Sequence, residues 1–192
     1  MSTFYMYLEL GVTHIADLNG YDHILFLISL VAAYQWSDWK KLLKLITAFT
    51  LGHSISLTLS VLNVVQFSTA LIELIIPFTI VIGSAANFWS KSKSHQYYNL
   101  EYSVSAVFGL IHGLGFSVLL KSLLGQETSI LKPLFAFNLG LELGQITIVS
   151  IILSLSWVIV RFFTLRAFYW TLAQSILALA FSIKMIWERW LW

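Results

Sequence analysis

Long apolar runs separated by short polar links set the pattern of this chain. Residues 3–13 are apolar but too few to cross a membrane alone, since a hydrocarbon core of about 30 Å takes about 20 helical residues. ADLNGYD at 16–22 then interrupts with two Asp, an Asn and a Gly. The pattern predicts a short helix and then a break. The next apolar run, 21–34, is short for a span, which points to an entry that dips into the membrane. Irregular backbone at that depth is tolerated only where protein buries it or where it lines a cavity. Further spans are expected at 42–62, 69–89, 102–124, 132–160 and 167–187, with Pro77 kinking the second of these by removing a helical hydrogen bond. The fold class read from this pattern is all-α: a polytopic transmembrane helix bundle of about six spans plus a short broken N-terminal helix, a single transmembrane domain over 1–192.

Composition agrees. Hydrophobic residues make up 58% and charged residues 10% of the chain, with a mean hydropathy of +0.82, whereas soluble domains run at roughly 45–50% and about 25%. The absence of cysteine excludes disulfides, thiolate ligands and cysteine nucleophiles, so any metal must take nitrogen and oxygen ligands. The net charge of +2 comes from Lys and Arg in short loops, an orientation signal rather than a nucleic-acid surface. Seven of the eleven basic residues, Lys40, Lys41, Lys44, Lys91, Lys93, Arg161 and Arg166, fall on one side. That bias predicts a cytoplasmic location for them, with both termini outside. The start, MSTFYMYLELG, has neither a basic region nor a small-residue cleavage site, so no removable signal peptide is read.

Against this apolar background the ionisable residues stand out. His53 lies in the middle of TAFTLGHSISLTLSV, Asp22 and His23 open one run, His112 sits inside GLIHGLGF, and Glu142 lies in FNLGLELGQ with Asn138 and Gln145. His14 comes just before the first run; only His95 is in a plainly polar loop. Ionisable groups within a membrane are costly and by default mark an ion path, a relay or a site. At 1.5 Å per residue, His53, His112 and Glu142 all fall within roughly 14–18 Å of the outer surface, so they could share one depth. Imidazole suits Zn, Cu, Fe and Ni. The candidate metal ligands are therefore His23, His53, His112, Glu142 and Asp22, with His14, Asn138, Gln145, Glu73 and Ser54 in support.

Asn138, Glu142 and Gln145 share one helix face by spacing, while Gly109, Gly113, Gly115, Gly140 and Gly144 would let helices approach closely. A lone intramembrane histidine more often just hydrogen-bonds across helices. Four of them with an Asp and a Glu shift the balance toward a site. Thr47, Thr50, Ser54 and Thr58 run down one side of the 42–62 span; they line a polar path or bond back to their own helix carbonyls.

His14 with Asp22 and His23, TAFTLGHSISL, GLIHGLGF and FNLGLELGQ, in that order over about residues 8–150, resemble the HupE/UreJ membrane proteins, especially their second, shorter branch. The resemblance implies a small six-span bacterial inner-membrane protein associated with nickel supply to hydrogenase and urease. It also implies that His23 with Asp22, His112 and Glu142 match the family's polar motifs.

The leading functional reading is a permease for a nickel-like divalent transition metal in the bacterial inner membrane. Its partners would be the metal ion, nickel or zinc above all, and the bilayer, with no nucleic acid; the oligomeric state stays open. One alternative is a zinc-type intramembrane hydrolase, with Asp22, Glu73 or Glu142 as base and Ser54 as a helper. Another is a metal-binding sensor or assembly protein. A closed four-ligand cage would favour storage, an open one hydrolysis, and a polar path past His53 transport.

Overall fold

The computed structural model of the chain describes residues 2–89, 98–124, 129–163 and 166–190. The loop histidine His95, with Lys91 and Lys93, lies outside the described residues. Among the described residues seven helices follow one another: α1 (Thr3–Ile15), α2 (Asp22–Val31), α3 (Trp39–Val61, preceded by a 3-10 turn at Trp36–Asp38), α4 (Thr69–Trp89), α5 (Tyr98–Leu124), α6 (Leu131–Phe162) and α7 (Ala167–Trp190). Among the described residues there is no strand. Helices α3 to α7 are each long and apolar enough to cross a membrane, and their outer faces carry exposed Leu51, Ile55, Ile82, Phe135, Ile151 and Leu155. The polar residues His53, His112, Gln145 and Ser175 are buried instead. Apolar side chains facing outward around a polar interior are what a lipid solvent selects.

The 21–34 segment is not one span. Helix α2 has only 10 residues, about 15 Å of rise or half a hydrocarbon core. The pairing of helices shows how the chain completes the crossing. Leu8 lies against Gly140 and Ile15 against Gly144, so α1 runs in the same sense as α6. Ser29 of α2 meets Gly83, and its carbonyl accepts from Asn87 Nδ2 at 2.9 Å. The other end of α2 reaches toward Glu73 through Arg189, so α2 runs in the same sense as α4. Helices α1 and α2 thus run in one direction as two pieces broken at residues 16–21, beside five helices of membrane-spanning length.

Helices α3 and α5 also run side by side in one sense. Ser105 Oγ donates to the Leu45 carbonyl at 2.8 Å, Gly109 lies on the Phe49 carbonyl and Gly113 on the His53 carbonyl. A Cβ at Gly109 or Gly113 would collide with backbone, which cannot yield as a side chain does. Small residues at such a seam let two backbones touch where lipid offers no hydrophobic drive to hold helices together. Asn63, with φ of 59°, closes α3 in the left-handed cap that Asn tolerates.

Pro77 lies inside α4. Lacking an N–H, it deprives the Glu73 carbonyl of its helical donor. Arg189 Nη1 of α7 supplies the missing hydrogen bond at 2.6 Å. The arginine also reaches Asp22 Oδ2, 3.6 Å from its Nη2. One side chain therefore joins α7, α4 and α2 beside the break.

Candidate functional site

The break between α1 and α2 puts His14 in the last turn of one piece and His23 in the first turn of the next. Their rings lie 4.7 Å apart between centroids. Helix α3 adds His53 and helix α5 adds His112, whose ring is 5.0 Å from His23. The ligating nitrogens of His14, His23 and His53 all fall within 4.8 Å of one another. Bonds of about 2.1 Å to one ion would bring any two nitrogens to about 4.2 Å at most, so capture asks only for a slight closure of the rings.

Hydrogen bonds orient two of the imidazoles. His23 Nδ1 donates to Asp22 Oδ1 at 3.0 Å, and the His23 backbone N–H donates to the same oxygen at 2.9 Å. A carboxylate on Nδ1 fixes the tautomer and leaves Nε2 as the lone-pair atom. In α4, Thr79 Oγ1 spends its one proton on the Ile76 carbonyl at 2.6 Å. His112 Nε2, 3.2 Å from that hydroxyl, must then be the donor, and His112 Nδ1 carries the lone pair. Within the cluster, His14 Nε2, His23 Nε2, both ring nitrogens of His53 and His112 Nδ1 are buried without a hydrogen-bond partner. An unsatisfied buried polar atom costs about 1–3 kcal/mol. Five in one cluster mark a place that is completed by something else.

Phenylalanines close the cluster on two sides. Phe116 lies 3.8 Å from the His14 ring and 5.2 Å from Phe137, which in turn stacks 6.2 Å from His53. Opposite them, Phe49 stacks 4.7 Å from Phe26, and those rings sit 5.3 and 5.5 Å from His112. The cluster is thus a polar pocket in an apolar jacket, with Asp22 as the carboxylate in direct contact.

The other candidates take different places. Glu142 is half-buried and accepts from Thr47 Oγ1 at 2.6 Å, six residues or about 9 Å along α3 from His53. Gln145 Oε1 accepts from Thr50 Oγ1 at 2.7 Å. Ser54 and Thr58 bond back to the carbonyls of Thr50 and Ser54. Asn138 bonds back to the Leu134 carbonyl at 2.8 Å. Glu73 is exposed and contributes its carbonyl rather than its carboxylate. So His14, read as a supporting residue, joins His23, His53 and His112, whereas Glu142 sits on a separate polar ladder with Thr47. Thr79 and Arg189 carry no sequence signal of their own; Phe137 lies inside FNLGLELGQ, where it reads as an ordinary apolar position.

A second polar group lies at the other end of α2. Tyr34 Oη donates to Glu101 Oε2 at 2.9 Å, Lys41 pairs with the same carboxylate, and the Lys41 ammonium lies 5.0 Å over the Tyr34 ring. Burial first, and then the Glu101 charge, hold the Tyr34 phenol well above its usual range, so it stays a donor. A cavity of about 490 Å³ lies between the 3-10 turn, α6 and α7, and has no histidine in its lining.

Comparison with curated proteins and with solved structures finds no match to this chain. The family model described as HupE / UreJ protein, by contrast, matches residues 1–191. Together with its membrane-length apolar helices this places the chain, as a multi-pass membrane protein, in the HupE/UreJ family.

Proposed function

We propose that this protein is a permease for a divalent transition-metal ion of the nickel class, with the ion as its substrate, in the bacterial inner membrane. The observation that carries the reading is the convergence of ligating nitrogens of His14, His23 and His53, from α1, α2 and α3, within 4.8 Å of one another, with the His112 ring of α5 5.0 Å from that of His23. Neutral imidazole suits Ni, Zn and Cu, and a chain without cysteine offers no softer ligand. The half-helix ends support it as well. The C-terminal end of α1 presents its negative dipole end to the site, while Asp22 offsets the positive N-terminus of α2. With one carboxylate against two positive charges, the site binds an ion without trapping it, as conduction requires. The HupE/UreJ family itself suggests nickel handling. By the basic-residue bias, the Lys41 end faces the cytoplasm and both termini lie outside.

The test is uptake of radiolabelled nickel, cobalt and zinc into vesicles holding the purified protein. Uptake of at least one metal above empty vesicles, lost in His53→Ala, is expected. Wild-type vesicles that retain bound metal on the protein but accumulate none would overturn the permease reading.

A further inference from the structure

Beyond the imidazole cluster a second cavity of about 180 Å³ opens between α2, α4 and α5. Its lining begins at Phe26 and Phe108 and ends at Tyr34 and Glu101, with Ser29, Asn87 and Ser105 between. Water occupies about 30 Å³ per molecule in the liquid, so the space holds about six. Phe26 belongs to both compartments. Its ring centroid lies 5.5 Å from that of His112 and 6.0 Å from that of Phe108, one turn apart on α5. The ring is 3% exposed and lines the cavity, whose lining includes no histidine.

We infer that the cation leaves the imidazole cluster through this cavity, with the Phe26 ring as the barrier and the Glu101 carboxylate as the receiving group. The inference rests on the permease reading and names the route it takes. Two routes lead away from the histidines, and packing decides between them. Along α3 and α6 the Thr50 and Thr47 hydroxyls are committed to Gln145 and Glu142, and neither Gln145 nor Glu142 borders this cavity. The α2–α4–α5 side has volume, side-chain oxygens and a carboxylate at its far end.

Each end of this route also holds a carboxylate against a tethered cation. Arg189 faces Asp22 beside the histidines, and Lys41 faces Glu101 at the cavity mouth. A tethered ammonium balances Glu101 while no ion is present, yields to a divalent ion that carries twice its charge, and returns as the ion departs. Glu101, whose side chain is about a third exposed, is thereby left without a counter-charge at neither stage. Phe26 is on α2, the half-helix that starts at the cluster, so a rotation of its side chain would join the two compartments without moving α3 or α5.

The experiment uses the full chain in vesicles, and the absence of native cysteine makes single-cysteine variants clean reporters. Nickel uptake should rise several-fold in Phe26→Ala and in the milder Phe26→Leu. It should fall at least tenfold in Glu101→Gln and recover in part in Glu101→Asp. Independently of transport, Ala33→Cys and Ala86→Cys, which place a thiol in the cavity wall, should react with a membrane-impermeant thiol reagent only from the Lys41 side. Wild-type uptake combined with wild-type rates in the Phe26 and Glu101 variants overturns this route and leaves the permease standing. Thiols that react from neither side, or from the opposite side, overturn it even if the Phe26 variants fail to fold. No uptake by the wild type removes the permease reading and the route with it.

Discussion

At the scale of single residues, the site depends on which nitrogen of each ring is left bare. Asp22 selects His23 Nε2, and Thr79, its own proton committed to Ile76, selects His112 Nδ1. Loss of an outer-shell carboxylate of this kind typically costs 10–100-fold in metal affinity. Asp22→Asn should therefore weaken nickel binding by about that factor, as read by calorimetry on purified protein; an unchanged Kd would remove the carboxylate from the binding role. The histidines should also differ among themselves. His53 is fully buried with both ring nitrogens unpartnered, whereas His23 stands at the start of α2 beside Asp22. His53→Ala should abolish vesicle uptake at every nickel concentration, and His23→Ala should leave slow uptake at high concentration. Equal losses in the two would contradict that division between core and entry.

Element by element, the bundle is held by close backbone seams and by one repaired helix. At the α3–α5 seam Gly109 meets the Phe49 carbonyl, four residues before His53. Gly109→Ala should force those helices apart and carry His53 away from His112. Nickel binding should fall at least tenfold together with a lower unfolding temperature in detergent; tight binding retained would show that the seam does not position the site. The second device is Pro77. Because Arg189 serves the carbonyl that Pro77 leaves unpaired, Arg189→Ala should destabilise toward the lower end of the usual 1–3 kcal/mol for an orphaned acceptor, the guanidinium being partly exposed. The N–H restored by Pro77→Ala offers Glu73 a helical donor again, so Arg189→Ala should cost less in that background. A double-mutant cycle measures the coupling, expected at about 0.5 kcal/mol or more, and strictly additive effects would dissociate the two residues.

For the whole molecule, the directions of the helices matter most. With α1, α2, α4 and α6 running one way and α3, α5 and α7 the other, the starts of α1 and the end of α7 emerge on one face. Epitope tags at both termini should be reached by antibody from the periplasmic side of intact spheroplasts, and a tag in the 91–97 loop only after permeabilisation. Termini reached from opposite sides would break the six-crossing topology, since a continuous N-terminal pair would add or remove one crossing.

Much of this was legible in the chain itself. A lipid solvent demands about 20 apolar residues per crossing and satisfied backbone throughout, so the runs at 42–62, 69–89, 102–124, 132–160 and 167–187 declared themselves, and the helices follow them closely. The break at ADLNGYD, the cost of histidines in apolar surroundings and the need for nitrogen and oxygen ligands were equally readable from residue chemistry. Rise per residue places a side chain at a depth, but says nothing of which neighbour it faces. Glu142 reads as level with His53, yet the structure turns it to Thr47, while His14 enters the cluster because α1 and α2 share a direction and meet at their broken ends. That Arg189 repairs the carbonyl orphaned by Pro77, and that Phe26 lies beside His112 and lines a cavity that also reaches Glu101, were decided by tertiary packing alone. Each joins residues far apart in the chain through a rotation about a helix axis, and no local pattern of hydrophobicity encodes that rotation.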